Sequence, residues 1–159
     1  MSIENDIAFF ERVPTLRLLG REALRVLAIG AESRYLDEGD VLFHAGDPAD
    51  SGYIIQEGSF VLRPGNSAEG PDIIASPGML LGELALLADT ARPATAIARE
   101  PSAVIRLTRN IFLRMLESYP EAAAKLREQL AVRSTQAMKE IASVRKRLDI
   151  SEAPAKIQS

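Results

Sequence analysis

Gly82, Glu83 and Arg92 stand at a spacing that can hold a phosphate ester. They stand in the stretch Leu81-Gly82-Glu83-Leu84-Ala85-Leu86-Leu87-Ala88-Asp89-Thr90-Ala91-Arg92-Pro93-Ala94-Thr95-Ala96. A glycine opens a short apolar segment that begins with a carboxylate, and a lone arginine follows ten residues after the glycine. Gly82 lets backbone approach a ligand with no Cβ in the way, and the helical turn after it offers N–H donors with a favourable dipole. Arg92 supplies a fixed positive charge and the forked donors that suit phosphate oxygens. Glu83, an anion, cannot bind phosphate, but it can accept hydrogen bonds from sugar hydroxyls beside it. The spacing therefore indicates a sugar phosphate or a nucleotide. A purely structural reading makes Gly82 a turn, Glu83 a helix-start acid paired with Arg92, and Leu84, Leu86 and Leu87 core residues. That reading does not require Gly-Glu and Arg-x-Ala-Thr together at this spacing, whereas ligand binding does.

The elements that must position this stretch are legible on both sides of it. From Ser33 to Thr108 short apolar runs alternate with turn residues: Tyr35-Leu36, Val41-Leu42-Phe43, Tyr53-Ile54-Ile55 and Phe60-Val61-Leu62 are separated by Glu38-Gly39-Asp40, Gly46-Asp47-Pro48 and Glu57-Gly58-Ser59. Evenly spaced short strands predict a β-sandwich or jelly roll. Ser67 to Pro71 reads as a hairpin tip, Ile73-Ile74 as a strand, and 95–98 and 103–107 as two closing strands. Before the roll, Phe9, Phe10, Val13, Leu16, Leu18 and Leu19 are broken by Pro14 and Gly20 into short helical pieces, and Arg21 to Ile29 predicts an amphipathic helix. After it, Ile111, Phe112, Met115 and Leu116 share a helix face, and Pro120 suits the first position of a second, long helix reaching about Leu148. On that helix Leu130, Ser134, Ala137, Ile141, Val144 and Leu148 follow steps of four and three, the seam of a coiled coil. One domain is expected over 1–148, with N-terminal helices in 1–30, a β-roll in 33–108, C-terminal helices in 109–148 and a polar tail over 149–159.

The stretch resembles the phosphate-binding cassette of cyclic-nucleotide-binding domains, found in kinase regulatory subunits, gated ion channels and catabolite-activator-type bacterial regulators. Gly82, Glu83, Leu84, Ala85, Leu86, Arg92, Ala94 and Thr95 fall on its motif without a gap. The resemblance implies a mainly β fold with flanking helices, a double-stranded β-helix or jelly roll. It implies a cAMP or cGMP ligand and no other cofactor. Backbone amides around Glu83 to Ala85 would hold the cyclic phosphate, Glu83 the ribose 2′-hydroxyl, and Arg92 the exocyclic oxygens. Pro93 departs from the pattern: it lacks an N–H, and it lacks the hydroxyl that the family associates with guanine, which tilts the expectation toward cAMP. On the long helix, Ala137 and Met138 fall near positions that face adenine in catabolite-activator-type proteins, which would make an apolar lid. The corresponding helix dimerises those proteins, so a homodimer is expected here.

In the bacterial regulators that helix leads to a helix-turn-helix domain, whereas here only 149–159 remain, and no DNA-reading element is expected. Arg145-Lys146-Arg147 reads as a solvated helix end that complements the dipole. The expectation is a stand-alone sensor or regulatory subunit, acting on an unidentified protein effector; the alternative is a ligand-free roll used as a dimeric scaffold.

Composition narrows the classes further. With 159 residues and 47% hydrophobic content the chain has material for one well-buried core and not for two ordinary domains. Lys and Arg number 19 against 22 Asp and Glu, a net charge of −3, which gives no overall drive toward nucleic acid or an anionic membrane. Cysteine is absent, no apolar run approaches membrane-spanning length, and Met1 to Ala8 carries two acidic groups and no basic region. A cytoplasmic protein is expected. His44 is the only histidine, so neither a cupin-type metal site nor a nucleophile–base pair can be assembled. No metal and no enzymatic activity are expected.

Overall fold

The computed structural model describes residues 2–65 and 72–129. The expected hairpin tip at Ser67 to Pro71, the seam from Leu130 to Leu148, Ala137, Met138 and the tail lie outside the described residues. α1 (Ile3–Phe10) is capped by Ser2, whose hydroxyl accepts from Asn5 N at 3.1 Å. A 3-10 turn (Arg17–Leu19) and α2 (Arg21–Gly30) follow. Among the described residues ten strands come next: β1 (Glu32–Leu36), β2 (Val41–Phe43), β3 (Pro48–Ala49), β4 (Ser51–Glu57), β5 (Phe60–Pro64), β6 (Ile73–Ala75), β7 (Leu80–Leu81), β8 (Thr90–Ala91), β9 (Ala94–Ala98) and β10 (Ser102–Thr108). A 3-10 turn (Glu83–Leu86) sits between β7 and β8. α3 (Arg109–Ser118) leaves the roll, capped by Thr108, and residues 120–129 are helical.

Two four-stranded antiparallel sheets, in the orders β1-β10-β4-β7 and β2-β9-β5-β6, make the expected jelly roll, which does not close into a barrel. The middle strands β4 and β10 meet a core on each face, so Tyr53-Ile54-Ile55 and Ala103-Val104-Ile105 are apolar without alternation, where a strand with one wet face would alternate. Tyr53, Ile55 and Val104 point into the roll with Phe60, Ala75, Leu81, Ala96 and Ala98. Ile54, Ile105 and Leu107 point the other way and pack with the helices, against Leu16, Leu24, Leu27, Phe112, Met115, Ala122 and Leu126. Leu86, from the 3-10 turn after Gly82, is buried in this second cluster, so the expected cassette rests on the helical layer.

Three two-residue strands were too short to show any period in the sequence. They are the ones that hold the candidate site. β7 pairs with β4 (Tyr53 opposite Leu81), and β8 pairs with β3 (Pro48 opposite Ala91, Ala49 opposite Thr90). Both ends of the 82–92 loop are thereby fastened to one stretch of chain, 48–54.

Candidate functional site

Gly82 takes a left-handed backbone, φ 80° and ψ 40°, which only glycine adopts without strain. A Cβ there would also collide with Nη1 of Arg92 and lie 3.2 Å from the Ser51 carbonyl oxygen. The residue is therefore required twice, for conformation and for room. The next four residues form a single tight 3-10 turn, in which the Ala85 N–H already donates to the Gly82 carbonyl at 3.1 Å.

Arg92 is held at both backbone ends: its N–H donates to the Asp47 carbonyl and its carbonyl accepts from Gly46 N, each at 2.8 Å. Its side chain turns inward and is only 5% exposed. The guanidinium carbon lies 4.4 Å from the Phe43 ring centroid and 5.4 Å from that of Tyr53, over two rings whose own centroids are 5.9 Å apart, an aromatic floor worth roughly 1–2 kcal/mol per contact when desolvated. Nη2 donates to the Ser51 hydroxyl at 3.3 Å, and Nη1 is buried without a hydrogen-bond partner. Burial pushes the Arg92 pKa below its ordinary value, and Tyr53 and Asp50 oppose the shift. A buried cation with an unused donor is poised for an anion.

Gly82, Glu83, Leu84, Ala85 and Arg92 line one cavity of 260 Å³, together with Ala49, Thr90, Ala91 and Pro93. A second cavity of 330 Å³ adjoins it, sharing Ala91, Arg92 and Pro93 and lined also by Ala45, Gly46 and Gly65. The structure thus gathers five of the seven candidate ligand residues around one space. Ala94 and Thr95 stand on β9 outside its lining, and the Thr95 hydroxyl accepts from Ala45 N at 2.9 Å. Glu83 Oε2 accepts a short hydrogen bond from the hydroxyl of Thr15, a residue of the N-terminal helical segment. Leu84, a core residue in the structural reading, is instead 67% exposed at the cavity rim. His44 lies on an exposed turn, where its N–H donates to Asp47 Oδ2 at 3.0 Å. Among the described residues no group of three or more His, Asp or Glu side chains is placed to hold a metal ion, and no helix is long and apolar enough to cross a membrane.

Sequence reasoning missed Thr15, Phe43, Tyr53, Ser51 and Arg109 around this site. Phe43 and Tyr53 read as ordinary strand residues, and only the pairing of distant strands reveals what they enclose.

The profile of the cyclic nucleotide-binding domain matches residues 33–119. A cAMP-dependent protein kinase regulatory subunit from Hypocrea atroviridis is 34% identical over 108 residues, which cover 68% of this chain and 23% of that protein. A cyclic nucleotide-binding-like protein from Brucella abortus has a solved structure that is 40% identical, with a TM-score of 0.62, over 71% of this chain and 98% of the other. The N-terminal domain of a transcriptional regulator from Streptomyces coelicolor superposes with a TM-score of 0.75 at 29% identity, over 84% of this chain and 94% of the other. The chain spans between 18% and 28% of the length of such curated relatives.

Proposed function

Because this chain belongs to the cyclic-nucleotide-binding domain family, we propose that it is a non-enzymatic sensor or regulatory module that takes cAMP in preference to cGMP. The observation that carries the reading is the Arg92 guanidinium, buried against two adjoining rings with Nη1 unpartnered beside Gly82. It supports a phosphate held by Nη1 and by the backbone around Glu83 to Ala85, with Glu83 accepting from the sugar. The cavity of 260 Å³ is smaller than the roughly 300–1,000 Å³ of ordinary ligand pockets. Phosphate and ribose therefore fill it, and the base extends past Leu84. Pro93 brings neither N–H nor hydroxyl to that rim, which favours adenine over guanine.

Coupling to output follows from Leu86. Phosphate capture reorders the 3-10 turn, Leu86 moves against Phe112 and Met115, and α3 carries the long helix over the base, with Ala137 and Met138 as its lid. The ligand must bind this closed state more tightly than the open one. The same helix pairs two copies in a cytoplasmic homodimer that acts on a protein effector, with neither DNA nor membrane as a partner.

Calorimetric titration of nucleotide-stripped protein with cAMP and cGMP, beside Arg92→Ala, tests the proposal. Micromolar or tighter binding of cAMP that weakens by about one to two decades in the variant is expected, the loss of a charge-assisted bond of about 1.5–3 kcal/mol. No heat with either nucleotide would refute it and leave the scaffold reading.

A further inference from the structure

α3 begins with a cation where its dipole favours an anion: Arg109 is the first helical residue, and the first turn holds no acid. A local rule broken at a buried junction calls for a compensating contact. The Arg109 side chain folds back over the end of the 3-10 turn. Its Nη1 donates to the carbonyls of Ala88 at 2.8 Å, Ala49 at 3.2 Å and Ala85 at 3.3 Å, and its Nη2 to Asp89 Oδ1 at 2.6 Å. Its backbone N–H donates to the Asp50 carbonyl at 2.8 Å. One residue thus joins the start of α3, the β3–β4 junction and the exit of the 83–88 turn. Helix and turn ends leave carbonyls without backbone donors, and a planar cation fork can collect several of them at once.

We propose that Arg109 is a positioning residue for the phosphate site: it fixes the exit of the turn that carries Glu83 to Ala85, and it transmits movement of that turn to α3. The proposal rests on the sensor reading given above and adds the residue through which the site speaks to the helices. Asp89 is not the source of the effect. Its side chain is 96% exposed, and an ion pair in water contributes little. The bonds to the Ala85 and Ala88 carbonyls hold the turn, and the one to Ala49 ties it to β3.

Titration with cAMP and hydrogen exchange, with and without saturating cAMP, on wild type, Arg109→Gln, Arg109→Lys and Asp89→Asn of the full chain test this. Arg109→Gln is expected to weaken cAMP binding about tenfold, on the scale of one charge-assisted bond, and to speed exchange over 83–91 in ligand-free protein. It is also expected to leave cAMP protecting 83–91 while abolishing the cAMP-dependent change over 109–118. A purely structural arginine would not split those two responses. Arg109→Lys should recover part of the coupling, and Asp89→Asn should bind within about twofold of wild type. Unchanged binding with α3 still responding in Arg109→Gln, or Asp89→Asn as damaging as Arg109→Gln, would overturn the proposal. Should Arg109→Gln not fold, Arg109→Lys decides: full coupling with a single-point charge in place of the fork is the overturning result. If wild type binds neither nucleotide, the sensor reading and the transmission to α3 fall together, and ligand-free exchange over 83–91 still decides whether Arg109 holds the turn.

Discussion

Replacing Arg92 with methionine should make the ligand-free protein more stable and the binding site useless. Burying a guanidinium carries a desolvation penalty of several kcal/mol even after relaxation, and the unpartnered Nη1 is part of it. The rings of Phe43 and Tyr53 and the bond to Ser51 offset part, roughly 1–2 kcal/mol per ring contact and about 1 kcal/mol for the bond. Methionine packs on the same ring pair without charge, and apolar replacements of buried ionic groups gain about 1–4 kcal/mol. In a domain of this size each kcal/mol raises Tm by about 2–4 °C. The assay is a thermal melt with and without cAMP. Wild type should melt lower than Arg92→Met without ligand and gain about 2.7 kcal/mol at a hundredfold excess over Kd. The variant should start higher and gain nothing at that concentration. A variant that melts well below wild type without ligand would refute the reasoning, because Arg92 would then be a structural residue.

Three further perturbations follow from the same contacts. Gly82→Ala meets the left-handed backbone, roughly 1–2 kcal/mol, and the Arg92 Nη1 collision, so Tm should fall and cAMP affinity should drop more than tenfold in calorimetry; unchanged affinity would count against the cradle. Thr15→Val removes the hydroxyl that holds Glu83 and should weaken cAMP about three- to tenfold while leaving 2′-deoxy-cAMP nearly unchanged; an equal loss for both would show that Thr15 does not place Glu83 for the sugar. Asp6 Oδ1 is buried without a partner, and burial pushes its carboxyl above the ordinary 3.8. Above that raised value the fold holds an anion it disfavours, and below 3.8 the carboxyl is neutral in both states. Asp6→Asn should therefore raise Tm at pH 7, with the gain vanishing as pH falls below 3.8, and a gain that persists in acid would contradict the cause.

The ligand loop was legible because its determinants are local. Gly82, Glu83 and Arg92 lie within one short string, and each residue type has a single plain use beside a phosphate. The roll was legible for a similar reason, since its turns are written in Gly39, Gly46 and Gly58, all at positive φ. What surrounds Arg92 was not. Phe43 meets it through the pairing of β2 with β9, and Ser51 and Tyr53 through those of β3 with β8 and of β4 with β7, pairings of two residue pairs each that carry no period. Thr15 and Glu83 stand 68 residues apart, and an arginine at the start of α3 looks like any solvated helix residue until the turn it grips is in place. Leu84 shows the converse. By composition it belongs in a core, yet β7 and the buried Leu86 fix a turn that leaves it outward at the cavity rim.

The central claim is that the space beside Gly82 is a cyclic phosphate site completed by Arg92. A crystal structure of the protein grown with saturating cAMP tests it most directly. The account predicts phosphate oxygens within about 3 Å of Arg92 Nη1 and against the backbone of Glu83 to Ala85, with the ribose 2′-hydroxyl on Glu83. Nucleotide bound elsewhere, or an Arg92 whose Nη1 is still unpartnered at saturating ligand, would contradict it.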